Sequence, residues 1–165
     1  MRPELIAETQ PETAPENIIK GDCWRISVLT EGLLRLEYDP DGIFEDRATQ
    51  SVWNRNFPGS TFRVIDEDDS LEIITPKAHL IYDRNPFSAN GLSIQAIGNY
   101  SAYHSIWHYG EDFKDLGGTA RTLDEADGAI PLEHGIISRN GFSVMDDSRS
   151  LAIREDGWVE PRRKG

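Results

Sequence analysis

The stretch WRISVLTEGLLRLEY, residues 24–38, decides the fold class. Trp24, Ile26 and Val28 alternate with Arg25 and Ser27. Thr30, Glu31 and Gly32 turn the chain, and Leu34, Leu36 and Tyr38 then alternate with Arg35 and Glu37. Successive side chains of a strand point to opposite faces, so a period of two on both sides of a glycine turn predicts a β-hairpin with one apolar face. Asp39, Pro40, Asp41 and Gly42 end it with turn chemistry.

The same grammar continues outward. Phe62 and Val64 keep the period, residues 66–70 (DEDDS) turn, residues 71–75 return, and Pro76-Lys77 interrupts. Ala78, Leu80 and Tyr82 form another alternating face. Residues 83–90 are a loop around Pro86, and residues 92–97 are a further strand. From Gly98 to Gly128 the period fades, which marks a long loop region of the kind that carries function or lacks order. Strand patterns resume at residues 135–138, 142–145 and 151–153, with Asn140-Gly141 as a hairpin connection. No stretch sustains a helical period and no repeat is present. Short strands at this spacing predict an all-β antiparallel β-sandwich.

Composition bounds what such a domain does. The chain has 165 residues, enough for one core. Lys plus Arg number 17 against 29 Asp plus Glu, a net charge of −12 that opposes binding to a phosphate backbone. Mean hydropathy is −0.53 and no long apolar run exists, so no membrane span is expected. The single cysteine, Cys23, excludes an internal disulfide and reads as a small buried apolar residue. Residues 1–17 hold Pro3, Pro11 and Pro15 among polar residues and are expected to be flexible, with the sandwich spanning residues 18–165. No secretory signal is visible, and cytoplasmic residence is the default expectation. After Trp158 no further element is expected, so the chain reads as cut rather than completed.

The chemistry-bearing residues gather in the loop region. Gly117-Gly118-Thr119 lacks the lysine of a phosphate loop. Glycines there serve close backbone approach or positive φ. His79, His104, His108 and His134 do not reach a metal-ligand spacing, and no metal is expected. Glu111, Asp112, Asp115, Asp124, Glu125 and Asp127 cluster in sequence. An acidic cluster does not itself supply the paired geometry of glycoside hydrolysis, and a solvated loop is the simpler account. Tyr103, Trp107 and Tyr109 nearby suit the CH faces of a sugar, although rings of this kind more often belong to a core. No nucleophile-elbow serine occurs.

Three stretches together carry a resemblance: LEYDPDGIFEDRATQSVWNRNFP (residues 36–58), LGGTARTLDEADGAIPLEHGIISRNGFSVMDDS (residues 116–148) and DGWVEPR (residues 156–162). FEDR, DLGGT, RTLD and ISRNGF in this order resemble the N-terminal part of glycoside hydrolase family 31, the family of α-glucosidases and α-xylosidases. The resemblance spans about residues 20–162. Asp115 stands where Asn is expected before LGGT. The resemblance implies a galactose-mutarotase-like β-sandwich preceding a catalytic (β/α)8 barrel. Both catalytic aspartates of the retaining mechanism would lie in that barrel, so no catalytic residue, cofactor or metal is expected here and the chain alone should be inactive. It also implies that a sandwich loop reaches the barrel mouth. By position Asp124 is the candidate for accepting sugar hydroxyls, with Arg121 orienting it or pairing with Glu125. A turn-capping role for Asp124 stays equally open.

The expected partners are the barrel of the same full-length chain and an oligosaccharide, with neither nucleic acid nor membrane. Self-association of the separated domain through its docking surface is an open outcome. An autonomous carbohydrate-binding or interaction module is the alternative function, and a purely structural domain that stabilises the barrel is the third.

Overall fold

The computed structural model describes Glu4 and residues 6–98, 105–118 and 124–162. Among these there is no α-helix, and helical content is limited to short 3-10 turns such as Pro15–Asn17. The fold is all-β and every strand pair is antiparallel.

Strands β1 (Ile18–Lys20), β2 (Trp24–Thr30) and β3 (Leu33–Tyr38) make a three-stranded sheet in chain order. Strands β4 (Arg63–Asp66), β5 (Leu71–Ile74), β6 (Ala78–Tyr82), β7 (Leu92–Ala96) and β8 (Ile106–His108) make a five-stranded meander, also in chain order. Two short strands, β9 (Ala152–Ile153) and β10 (Val159–Glu160), pair with each other.

The expected hairpin forms in the expected register. Trp24 faces Tyr38, Ile26 faces Leu36 and Val28 faces Leu34, which puts every apolar member of the alternation on one face. Leu29 is the extra residue of a bulge before Thr30 meets Leu33. The meander aligns a second apolar face: Ile73 beside Leu80 beside Ile94, and Leu71 beside Tyr82 beside Leu92. The two faces share one core. Trp24, Ile26 and Val28 cluster with Leu71, Ile73, Leu80, Tyr82 and Leu92, a sandwich arrangement. Trp24 meets Tyr82 edge-on at 5.4 Å, and Phe87 from the loop after β6 caps Tyr82 at 5.3 Å.

The structure differs from the sequence expectation at several places. Trp107, in the region expected to be loop, lies in β8 and is buried, because β7 offers it a free edge opposite Ile94. Residues 135–138 and 142–145 do not pair with each other. The partner of Ser138 is Asp115, and Asn140 turns toward Lys114, whose amide donates to its Oδ1 at 2.8 Å. A paired strand, β10, follows Trp158. In the N-terminal segment, Gln10 exchanges backbone bonds with Trp53 and Arg55, and Asn17 is buried, so the part of residues 1–17 from Gln10 onward is bonded to the rest of the domain.

The largest departure concerns the second face of the β2–β3 hairpin. Arg25, Ser27 and Glu37 alternate with the core residues as solvent-facing positions would, yet all three are at most 8 % exposed. The sheet is covered on both sides: one by the meander, the other by irregular chain. Ala48 and Ala152 are buried, Thr49 bridges to Ala152, and Ile153 N–H donates to Ala48 O at 2.7 Å. Cys23 is half-buried rather than buried, its thiol directed to Pro40 O at 3.4 Å.

Candidate functional site

Two constellations gather the polar residues. The first is a charge network on the covered face of β2–β3. Arg25 forks onto Glu37 through Nε–Oε2 at 2.6 Å and Nη2–Oε1 at 3.0 Å, and its Nη1 reaches Asp46 at 2.7 Å. Arg35 donates to Glu37 and to Glu45 O, both at 2.6 Å. Arg47 forks onto Glu45 at 2.7 and 2.8 Å and also pairs with Glu160. Arg55 is fully buried, donating to Arg47 O at 2.8 Å and Pro11 O at 3.1 Å. Asp147 accepts from Thr49 Oγ1 at 2.8 Å and from Arg162 at 3.2 Å, with Arg55 Nη2 at 3.8 Å.

A buried guanidinium needs a carboxylate to offset its lost hydration. Burial works against the charge on Arg25, and the Glu37 and Asp46 carboxylates overcome it, leaving the group above its ordinary value. Arg35 is lowered to about 10, by burial first and then by neighbouring Arg55, Arg25 and Arg162 against the pull of Glu37. It remains charged at neutral pH. FEDR supplies Glu45, Asp46 and Arg47, WNR supplies Arg55, DDS supplies Asp147, and the terminal EPR supplies Glu160 and Arg162. Stretches up to 113 residues apart thus meet in one network, which binds the domain together, buried at Arg25, Glu37 and Arg55 and open to solvent at Asp46 and Glu160.

The second constellation is an arm made from residues 113–118 and 133–140. Leu116 N–H donates to Ile137 O at 2.9 Å, Arg139 N–H to Lys114 O at 2.9 Å, and Gly118 N–H to Glu133 O at 2.6 Å. Two steps along one stem, from Leu116 to Gly118, therefore match four along the other, and His134 to Ile136 bulge. Asp115 fills the bulge. Its Oδ1 accepts the amides of Gly117 (2.6 Å) and Gly135 (3.2 Å), and its Oδ2 accepts His134 Nδ1 at 2.7 Å. The glycines are required by approach. A Cβ on Gly135 would stand 2.5 Å from Gly117 O, and one on Gly118 would stand 2.8 Å from His134 O. Gly117 also has a φ of +83°.

The sequence candidates fall around this arm. Asp124 is exposed, in a turn with Glu125, whose φ of +60° is left-handed. Arg121 and Tyr103 lie outside the described residues, as does His104. Glu111 is structural: its carboxylate accepts His108 N–H at 3.1 Å, and its carbonyl accepts the Trp107 indole N–H at 2.9 Å. Asp112 and Asp127 are exposed. The remaining histidines have local partners, Ala89 O for His108 and Glu72 for His79. Among the described residues no group of three or more His, Cys, Asp or Glu is placed to hold a metal ion, and no helix is long and apolar enough to cross a membrane.

Trp107 does not present its ring to a ligand: it is 6 % exposed and its indole N–H is engaged, while Tyr109 beside it is the exposed ring of the pair. What sequence reasoning missed was the pairing of Asp115 with His134 and the apolar surface of the arm. Leu116, Leu132, Ile136 and Ile137 are between 55 % and 77 % exposed. The signal for that surface was present in the run LEHGII, which alternates poorly and has apolar residues on both sides. Compared with models of known families and with curated proteins, the chain matches none.

Proposed function

We propose that this chain is the N-terminal β-sandwich of a family 31 α-glycosidase and that it lends the Asp124 loop to a sugar site completed by a catalytic barrel of the same full-length protein. The observation that carries the reading is the apolar surface of the arm. Leu116, Leu132, Ile136 and Ile137 stand in solvent on a glycine-tightened arm whose stems bracket Asp124 in the chain. Exposed apolar groups concentrated in this way mark a surface that another body covers. The all-β fold and the order of the FEDR, DLGGT, RTLD and ISRNGF motifs support the same reading.

On this reading the chain contributes binding, not bond cleavage. The nucleophile and the acid/base belong to the barrel, and the full-length enzyme hydrolyses α-glucosides or α-xylosides with retention. Asp124 supplies a carboxylate in an exposed turn, able to accept two sugar hydroxyls and suited to the leaving-group side of the bond. Loops held by a rigid sandwich are well placed for such specificity contacts. The burial of Trp107 weighs against an autonomous carbohydrate-binding module, since that ring is unavailable for stacking.

Asp124→Ala in the full-length enzyme tests the assignment. A hydrogen bond to a charged group contributes about 1.5–3 kcal/mol, so kcat/KM should fall roughly ten- to a hundredfold with the β-sandwich still folded. Wild-type kinetics would remove Asp124 from the site. Titration of the isolated chain with maltose, isomaltose or xylosyl-glucose should give no saturable signal at millimolar sugar. Saturation would favour the autonomous module.

A further inference from the structure

We infer that Asp115 and His134 form a pH-set clamp that fastens the two stems of the arm to each other. The inference stands on the geometry of the arm and is independent of the glycosidase reading. Asp115 bonds to both stems at the bulge: Gly117 on its own stem, Gly135 and His134 on the other. Its side chain is 12 % exposed, so these three donors replace most of its water. The His134 side chain is 81 % exposed, so its ring exchanges protons freely with solvent while its Nδ1 holds the carboxylate. The Phe113 ring is tilted beside the imidazole, with the ring centroids 6.2 Å apart. The other charged groups along the stems are Asp112, Lys114, Glu133 and Arg139. Asp112 acts on His134 in the same direction as Asp115.

The direction of the effect follows from linkage. The bond to Asp115 raises His134 above its ordinary 6.5, and the bonds from His134, Gly117 and Gly135 lower Asp115 below its ordinary 3.8. The histidine contribution is complete below the ordinary histidine value and is lost as pH rises through the raised one. The aspartate contribution is complete above the ordinary carboxylate value and is lost as pH falls through the lowered one. The clamp is therefore tightest in mildly acidic solution and slackens as pH rises through the raised His134 midpoint. Neutral His134 can keep a proton on Nδ1, so that step removes the ion pair and leaves a weaker neutral hydrogen bond.

Nuclear magnetic resonance on the isotope-labelled chain tests this directly. The expected result is a His134 imidazole midpoint above 6.5, with the Gly117 and Gly135 amide signals moving at the same midpoint. Their exchange protection, corrected for intrinsic pH dependence, should be lower above that midpoint than below it. Asp115→Asn should bring the His134 midpoint down. His134→Gln should abolish the pH step in the glycine amides while the core signals of Trp24 and Tyr82 stay in place. Either variant suffices if the other fails to fold. A His134 midpoint at or below 6.5, or glycine amides that ignore it, would overturn the clamp.

Discussion

At the scale of single residues, Glu37 is the pivot of the domain. It is 7 % exposed and carries both Arg25 and Arg35. Removing one partner of a buried ion pair strands the other charge in a poorly hydrated place, which costs far more than the pair itself contributes. Glu37→Gln is therefore expected to lower the unfolding free energy in urea by about 3–5 kcal/mol. A loss under about 1 kcal/mol would place the pair in the class of exposed surface bridges and contradict the covered face described here. Nothing in the local sequence reveals this burial. Arg25, Arg35 and Glu37 sit at the polar positions of a period of two, as solvent-facing residues would. The chain that covers them comes from residues 45–55 and from the region of Asp147 and Arg162, too distant for periodicity to register.

At the scale of elements, the strands with clean alternation were legible and the arm was not. β2, β3, β5, β6 and β7 each carry two or more apolar residues at spacing two, bounded by turn residues, and each formed where the pattern put it. β8 has three residues among aromatics, and only the free edge of β7 makes it a strand. In the arm, residues 135–138 read as half of a hairpin with residues 142–145. Asp115, about twenty residues earlier, takes that place instead, because its carboxylate satisfies the bulge amide that a plain hairpin would not create. The glycines were read correctly as permitting close approach. Gly135→Ala places a methyl against a backbone carbonyl that has nowhere to go, an overpacking cost of about 1–3 kcal/mol confined to the arm. Hydrogen exchange should show lost protection at Leu116 and Gly118 with the β2 amides unaffected. Gly59→Ala, which meets nothing within 4 Å, is the control and should leave both sets alone. Equal protection in the two variants would mean the stems are not packed as described.

At the scale of the whole molecule, the parts divide by role. Two sheets and a largely buried charge network make the body of the domain, and the arm carries solvent-exposed Leu116, Ile136 and Ile137 with exposed Leu132 beside them. The net charge of −12 supplies no overall attraction to a phosphate backbone. The all-β class was legible in the sequence because it needs only period and turns. Of the proposed site, the carboxylate of Asp124 and the glycines stand out in one dimension, whereas the apolar surface of the arm leaves only the poorly alternating run LEHGII as a trace and takes shape once burial is known. The direct test is hydrolysis of aryl α-glucosides and α-xylosides by the complete product of the reading frame that contains this chain, beside the 165-residue chain alone. Hydrolysis with retained anomeric configuration is expected from the complete product and none from the chain. A complete product that folds, yet cleaves neither substrate class, would contradict the proposed function.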